Sequence, residues 1–323
     1  MRRFGVSLIL LLVSVSCAAQ TAVIRSWGNE EMSGLLDRWQ AEFRKTHPAV
    51  RFENNLMGPA SAMAGIYTGV AELAWMGHEL RTEESMGFEW VFQYKALGIE
   101  VATASLNRYD HAAQLVIFVH HDNPIRRLTL AQLDGIFGSE HRRDGMNLRT
   151  WRELGLTGEW AARPIHPYGY DAETEAASFF RQAVLSGSYK WNCDLTALRD
   201  EQLDDGKIVD AAPRILAALA ADRYGIAYAK LRYATPAVKA LALAADGADY
   251  IAPTREAVER RIYPIARAIS VYLNRDPAQP VNPAVKEFLR YILSRNGQRE
   301  VERDGGYLGL TPEIAAAQLR KLD

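Results

Sequence analysis

Residues 169–185 read GYDAETEAASFFRQAVL. The run that leads into them, ARPIHPYGY (162–170), is apolar enough for a strand, and the stretch itself opens as a helix. Strand, loop, helix is the order of an anion-binding turn, in which free amides at a helix start face the ligand. Here Asp171, Glu173 and Glu175 crowd that start. Carboxylates at a helix N-terminus meet the positive end of its dipole and satisfy it without any ligand. The stretch thus predicts an α/β unit while leaving its ligand open.

The same alternation continues on both sides. Toward the N-terminus, AVIRSWG (22–28) is a strand candidate with a turn at Gly28 and Asn29, and AVRFENN (49–55) and AELAWMG (71–77) are further strands. Between the first two, Leu35, Leu36, Trp39 and Phe43 recur on one helical face, which ends at His47 and Pro48. GPASAMAGIYTG (58–69) reads as a loop feeding a helix of small residues. Toward the C-terminus, QLVIFV (114–119) is a buried strand candidate, LTLAQLDGIFG (128–138) a short helix with a glycine stop, and 211–231 a helix followed by a strand. VKALALA suggests one more strand, and Val285, Phe288, Leu289, Ile292 and Leu293 share the apolar side of a terminal helix. No repeat or flexible linker interrupts the chain, so two domains would be closely coupled.

The chain has 323 residues, is 48% hydrophobic and carries a formal charge of -1, enough core for two domains and nothing to attract a nucleic-acid polyanion. Its first residues, MRRFGVSLILLLVSVSCAAQ, place Arg2 and Arg3 before an apolar run and small residues at Ala18 and Ala19, the pattern of a cleaved secretory leader spanning 1–19. The run is short of the roughly 20 residues a membrane span needs. Ser14, Val15 and Ser16 before Cys17 lack the leucine of a good lipobox, so export as a soluble protein is expected in place of lipid anchoring. Losing the leader leaves Cys193 alone, which excludes an internal disulfide and reads as a buried small residue.

The sequence contains no HExxH, no GxxxxGK[ST] and no G-x-S-x-G nucleophile elbow. His120, His121 and Asp122 are adjacent, but neighbouring strand residues face opposite sides and converge only if the strand ends there; a strand-end loop is expected, with no metal and no cofactor. Gly28, Gly58 and Gly169 each stand between a strand and a helix candidate, placing helix-terminal amides at one sheet edge.

Taken in order, IRSWGNEEMSGLLDRWQAEFRKTHPAVRFE, GVAELAWMGHEL, LVIFVHHDNPIRRLTLAQLDGIFG, YGYDAETEAASFFRQAVL, DRYGIAYA and the run from RRIYPIARAISVYLNR to GGYLGL resemble the periplasmic phosphate-binding proteins of ABC transporters and their PstS-like relatives. The resemblance covers nearly the whole chain after the leader. It implies a two-lobe α/β periplasmic binding protein fold, type II-like, with a two-crossing hinge. Lobe 1 would be 20–107 plus 261–323 and lobe 2 would be 108–260. A small solute would lie between them, with phosphate or another oxyanion the family ligand and an ABC permease the partner. The family performs no chemistry.

Residue by residue, the family's phosphate ligands carry over poorly. Gly28, Asn29, Glu30 and Glu31 stand in a loop rich in Ser and Thr in the family, and Gly58 and Ser61 remain from its second, glycine-serine cluster. In the third segment Glu72 takes an Asp position, Gly77 a Ser and His78 an Arg. In the opening stretch Tyr170 stands for an Arg, Thr174 for a Ser, Glu175 for a Gly and Ala176 for a Thr, with Asp171 alongside. Losing the Arg removes a bidentate donor, and Glu175 adds charge where the anion would sit. The binding candidates are therefore Gly28, Asn29, Glu30, Gly58, Ser61, Glu72, His78, Tyr170, Asp171 and Thr174, around an altered ligand. Trp27, Trp75 and Tyr168 add aromatic surface. The second expectation is a noncatalytic envelope binding or scaffold protein that has lost phosphate. Tyr170, Asp171, Glu72 and His78 offer acid-base groups, yet no activated nucleophile accompanies them, and an enzyme is not expected.

Overall fold

The computed structural model describes residues 22–77, 79–106, 112–205, 207–245 and 247–323, so the expected leader and the candidate His78 lie outside the described residues. The chain begins with β1 (Ala22–Gly28), α1 (Ser33–Arg44), β2 (Val50–Asn55), α2 (Pro59–Tyr67), β3 (Leu73–Trp75), α3 (Thr82–Phe92) and β4 (Leu97–Thr103). It continues through β5 (Leu115–His120), β6 (Arg127–Thr129), α4 (Leu130–Phe137), β7 (His166–Tyr170), α5 (Glu175–Ala183) and β8 (Thr196–Leu198). Next come β9 (Glu201–Gln202), β10 (Ile208–Val209), α6 (Ala212–Ala220), β11 (Gly225–Lys230), β12 (Val238–Ala240), β13 (Ala242–Ala244) and α7 (Arg255–Glu259). The chain closes with β14 (Ala268–Leu273), α8 (Pro283–Leu293), α9 (Arg295–Asp304) and α10 (Pro312–Arg320).

These elements build two α/β lobes. One sheet has the order β2-β1-β3-β14-β4, with β1 parallel to β2 and β3, and β14 antiparallel to β3 and β4. The other has the order β12-β5-β11-β7-β8, with β11, β7 and β8 parallel and β5 antiparallel to β11. Each sheet has its own apolar core. Trp39, Phe43, Phe288 and Leu289 pack in the first, and Phe118, Phe137, Phe180 and Tyr228 in the second. The faces read from periodicity are the buried ones: Leu35, Leu36, Trp39 and Phe43 on α1, and Val285, Phe288, Leu289, Ile292 and Leu293 on α8. Each such side chain contributes about 1.5–3 kcal/mol on burial.

Three elements differ from the sequence reading. VKALALA divides into β12 and β13, which join different sheets, because buried Leu241 between them donates its amide to Ile117 O at 2.9 Å. The terminal helix breaks at Ser294, whose extended backbone and side chain cap α9 by accepting from Gly297 N. Gly169 is no turn glycine, for it lies within β7, where a β-carbon would meet the Tyr228 ring at 2.0 Å. Its job is room for that ring; the turn begins at Asp171. Cys193 is exposed, not buried as expected.

The connections between the lobes are tied by polar groups. Buried Gln114 donates from Nε2 to Leu115 O and Ile265 O, both at 2.7 Å, and accepts from Arg267 N at 3.3 Å. Arg261 reaches from the segment after α7 to Glu100, Thr103 and the carbonyl of Ala102 in β4. These bonds place Arg267, next before β14, between the two sheets.

Candidate functional site

A cavity of about 270 Å³ opens where the loop after β1 meets the C-terminal ends of β7 and β11. Carboxyl ends of strands are where open α/β sheets hold ligands. Its wall takes Glu31 from the first lobe, Tyr170 from the end of β7, Thr174 and Glu175 from the start of α5, and Asp200, Asp210 and Lys230 from around β8 to β11. Arg267 closes it. A neighbouring cavity of about 250 Å³ shares Glu175 and Arg267 and adds Glu79, Arg81, Phe179 and Gln182.

Arg267 is the centre of this arrangement. Only 2% of it is exposed, and its Nη2 donates to Glu175 Oε1 at 2.8 Å and to Glu79 Oε2 at 3.4 Å, with the guanidinium carbon 4.6 Å from the centre of the Phe179 ring. Burial works against its charge, yet Glu79 and Glu175 outweigh burial and raise its pKa above the ordinary value. Glu79 also accepts from Ala268 N at 3.2 Å. One carboxylate comes from the segment after β3 and the other from α5, so a single cation joins the lobes. Its Nε is buried with no acceptor among the described residues.

Across the cavity, Tyr170 is 1% exposed and donates from its hydroxyl to Asp210 Oδ1 at 3.0 Å. Burial first, then the charge of Asp210, pushes its pKa well above the ordinary range, so it stays a neutral donor. Lys230 Nζ bonds the other oxygen of Asp210. At the position where the resemblance implies an arginine, a tyrosine and a lysine thus share one carboxylate.

The start of α5 is satisfied from within. Thr174 Oγ1 accepts from Ala177 N at 3.2 Å and donates to Asp171 O at 2.8 Å. Asp171 accepts from Glu173 N at 3.1 Å and pairs with Arg199 at 3.0 Å, and that arginine is the main reason its pKa is lowered. These caps take up amides that an anion-binding turn would leave open.

In the first lobe the structure gathers Gly28, Asn29, Glu30, Gly58 and Ser61 at the ends of β1 and β2. Gly28 has φ 151°, and a β-carbon there would lie 2.1 Å from Trp75 O, so only glycine allows the approach to β3. Asn29 is buried, donates from its amide to Trp75 O and accepts from Glu31 N at 3.0 Å. Ser61 donates to Gly58 O at 2.7 Å, and Glu30 Oε2 lies 3.8 Å from where a Gly58 β-carbon would stand.

Glu72 is placed elsewhere. It enters β3 from the opposite end, where it accepts from Arg25 N at 2.7 Å and from Arg25 Nη2 at 2.6 Å. There it lines a different cavity, with Ile66, Asn274 and Asn282, and not the one that holds Tyr170 and Arg267. Trp75 is fully buried against Trp39, and Tyr168 donates to Asp222 at the far end of β7; of the aromatic candidates, Tyr170 is in the cavity wall. The sequence reading missed Glu79, Asp200, Asp210, Lys230 and Arg267 as site residues. A lone arginine in the apolar run IARAISVYL was the one local signal for Arg267.

Comparison with known proteins bears on the fold and the family. Residues 18–296 match the PBP superfamily domain. The chain belongs to the PBP superfamily. Among curated PBP relatives, the phosphate-binding protein PstS of Pseudomonas aeruginosa is 29% identical over 302 residues, covering 93% of this chain and 86% of that protein. Protein SphX of Synechococcus elongatus is 22% identical, covering 94% of this chain and 82% of that protein. Among solved structures, PstS from Borrelia burgdorferi superposes with a TM-score of 0.61 at 16% identity, covering 90% of this chain and 99% of that one. An ABC-type phosphate transport receptor from Vibrio cholerae gives a TM-score of 0.56 at 17% identity, covering 88% and 99%. The structures establish the two-lobe PBP fold, and the match to PstS-like proteins makes this chain a divergent homologue of them.

Proposed function

We propose that this chain is an exported, noncatalytic solute-binding protein, of the same general role as the PstS-like relatives but with a changed ligand preference. The strand order β2-β1-β3-β14-β4, in which a strand returning from the second sheet inserts beside β4, supports a type II-like, two-crossing hinge. On this reading lobe 1 is 20–107 plus 261–323, lobe 2 is 108–260, residues 1–19 direct export to the periplasm, and an ABC permease receives the solute.

One observation carries the ligand preference. Among the described residues the cavity wall sets four carboxylates, Glu31, Glu175, Asp200 and Asp210, against two cations, Lys230 and Arg267. Unit charges about 4 Å apart interact by about 4 kcal/mol at an effective dielectric of 20, so each surplus carboxylate cancels what a cation offers a dianion. The solute that fits is small and polar, with a cationic or hydrogen-bond-donating group for the carboxylates. Phosphate or another small oxyanion is the second reading, supported by the buried, acceptor-less Nε of Arg267.

Calorimetric titration with phosphate, sulfate, molybdate and small cationic solutes separates the two. The expected result is saturable binding of an amine-bearing solute with weak or absent phosphate binding. Tight, saturable phosphate binding would overturn it, and lobe closure with none of them would favour a scaffold role.

A further inference from the structure

The second lobe carries a side-chain cluster that the solute cleft does not use. β5 ends at His120, so the alternation that would separate adjacent histidines stops there, and the rings of His120 and His121 lie 4.3 Å apart between centroids. His121 Nε2 is 3.0 Å from Asp122 Oδ1, and His120 Nδ1 is 3.9 Å from Asp122 Oδ2. One donor atom from each of the three residues falls within 4.8 Å of the others. Two ligands of a tetrahedral zinc, each about 2.0–2.1 Å from the ion, stand about 3.3 Å apart, between the two separations found here.

The second nitrogens of the rings are held as metal-bound imidazoles usually are. His121 Nδ1 is 3.2 Å from the carbonyl of Ala237, which directs Nε2 toward Asp122. His120 bonds the Ala220 backbone, and its Nδ1 accepts from Asp122 N at 3.2 Å, a bond that an ion taking the Nδ1 lone pair would displace. The turn itself is fixed by His121 N donating to Ala237 O, Asn123 N donating to His120 O, and Lys239 Nζ on the Asn123 carbonyl.

We propose that His120, His121 and Asp122 form a binding site for a borderline divalent ion such as zinc, nickel or copper, at the end of the second sheet away from the solute cleft. Two imidazoles and one carboxylate suit such ions better than magnesium or calcium. The register pairing Lys230 with Leu115 and Ile226 with Val119 puts the cleft at the start of β5 and the metal site about 17 Å away at its end. Arg223 Nε lies 3.4 Å from Asp122 Oδ2 and also reaches Glu159, so the guanidinium competes with the ion for Asp122 and has a second carboxylate to turn to.

The test is zinc and nickel titration of the purified protein carrying Cys193→Ser, because the exposed thiol would bind zinc on its own account. One equivalent is expected to bind, with affinity reduced about tenfold or more by His121→Ala or Asp122→Asn, both at exposed positions, and increased by Arg223→Gln. Cobalt bound there should show the absorption of a low-symmetry site that His121→Ala abolishes. Absence of saturable binding, or affinity unchanged in both ligand variants, would overturn the proposal.

Discussion

Arg267 Nη2 and Glu175 Oε1 stand 2.8 Å apart although 92 residues separate them along the chain. Glu79, at 3.4 Å, completes the triad from the other lobe. Glu79 and Glu175 are each about one-third exposed, whereas the Arg267 side chain is 2% exposed, so the arginine has more to lose when its partners go.

Glu79→Gln and Glu175→Gln should each cost about 1 kcal/mol of stability, because the other carboxylate remains and solvent partly screens each pair. The double variant leaves a buried guanidinium uncompensated and should cost about 3–5 kcal/mol. Urea denaturation measures both, and a double variant no worse than the sum of the singles would show that the carboxylates act independently.

Glu175→Gln should also improve phosphate binding. It removes a carboxylate from the cavity wall and releases a guanidinium hydrogen-bond donor, and about 1.4 kcal/mol of relief corresponds to a tenfold gain in affinity. Calorimetry with phosphate reads this directly. An unchanged or weakened phosphate affinity would mean that charge at this position does not set the preference.

Gly169→Ala should destabilise the second lobe by about 1–3 kcal/mol or more, since its β-carbon would enter the Tyr228 ring. Tyr228 stacks on Phe180 at 4.1 Å between centroids, and Trp191 lies 6.0 Å away, so displacement of one ring disturbs the group. A lower urea midpoint with an altered near-ultraviolet aromatic signal is expected. Wild-type stability in this variant would refute the steric assignment.

Asp134 gives a pH signature. It is 1% exposed, Oδ2 accepts from Arg143 N at 2.8 Å, and burial raises its pKa despite that bond. The folded state therefore binds its proton more readily than the unfolded state does, and its contribution to stability falls as pH rises from the unfolded pKa through the folded one. The stability of the wild type minus that of Asp134→Asn should accordingly decrease with rising pH across the acidic range. A difference that is flat with pH, measured by urea unfolding at several pH values, would contradict the assignment.

The elements were legible because their causes are local. Apolar spacing on α1 and α8 marks the buried faces whatever they pack against, and the loop candidates around Gly28, Gly58 and Thr174 do stand at strand ends. Glu72 shows where local reading stops, because its neighbours along the chain do not reveal that it pairs with Arg25 of β1. Gly169 shows the same limit, since a turn glycine and a strand glycine beneath an aromatic ring look alike in sequence.

From the sequence alone come the α/β alternation, the family likeness and a tyrosine at 170 where that likeness implies an arginine, each of them readable from short-range pattern or from the order of segments. Tertiary structure alone decided that Arg267 lies between Glu79 and Glu175, that Tyr170 and Lys230 share Asp210, and that the end of β5 turns His120 and His121 toward Asp122. Charges brought together from 188 and 92 residues away leave no periodicity in the chain. Their strength depends on the burial that only the packed lobes supply.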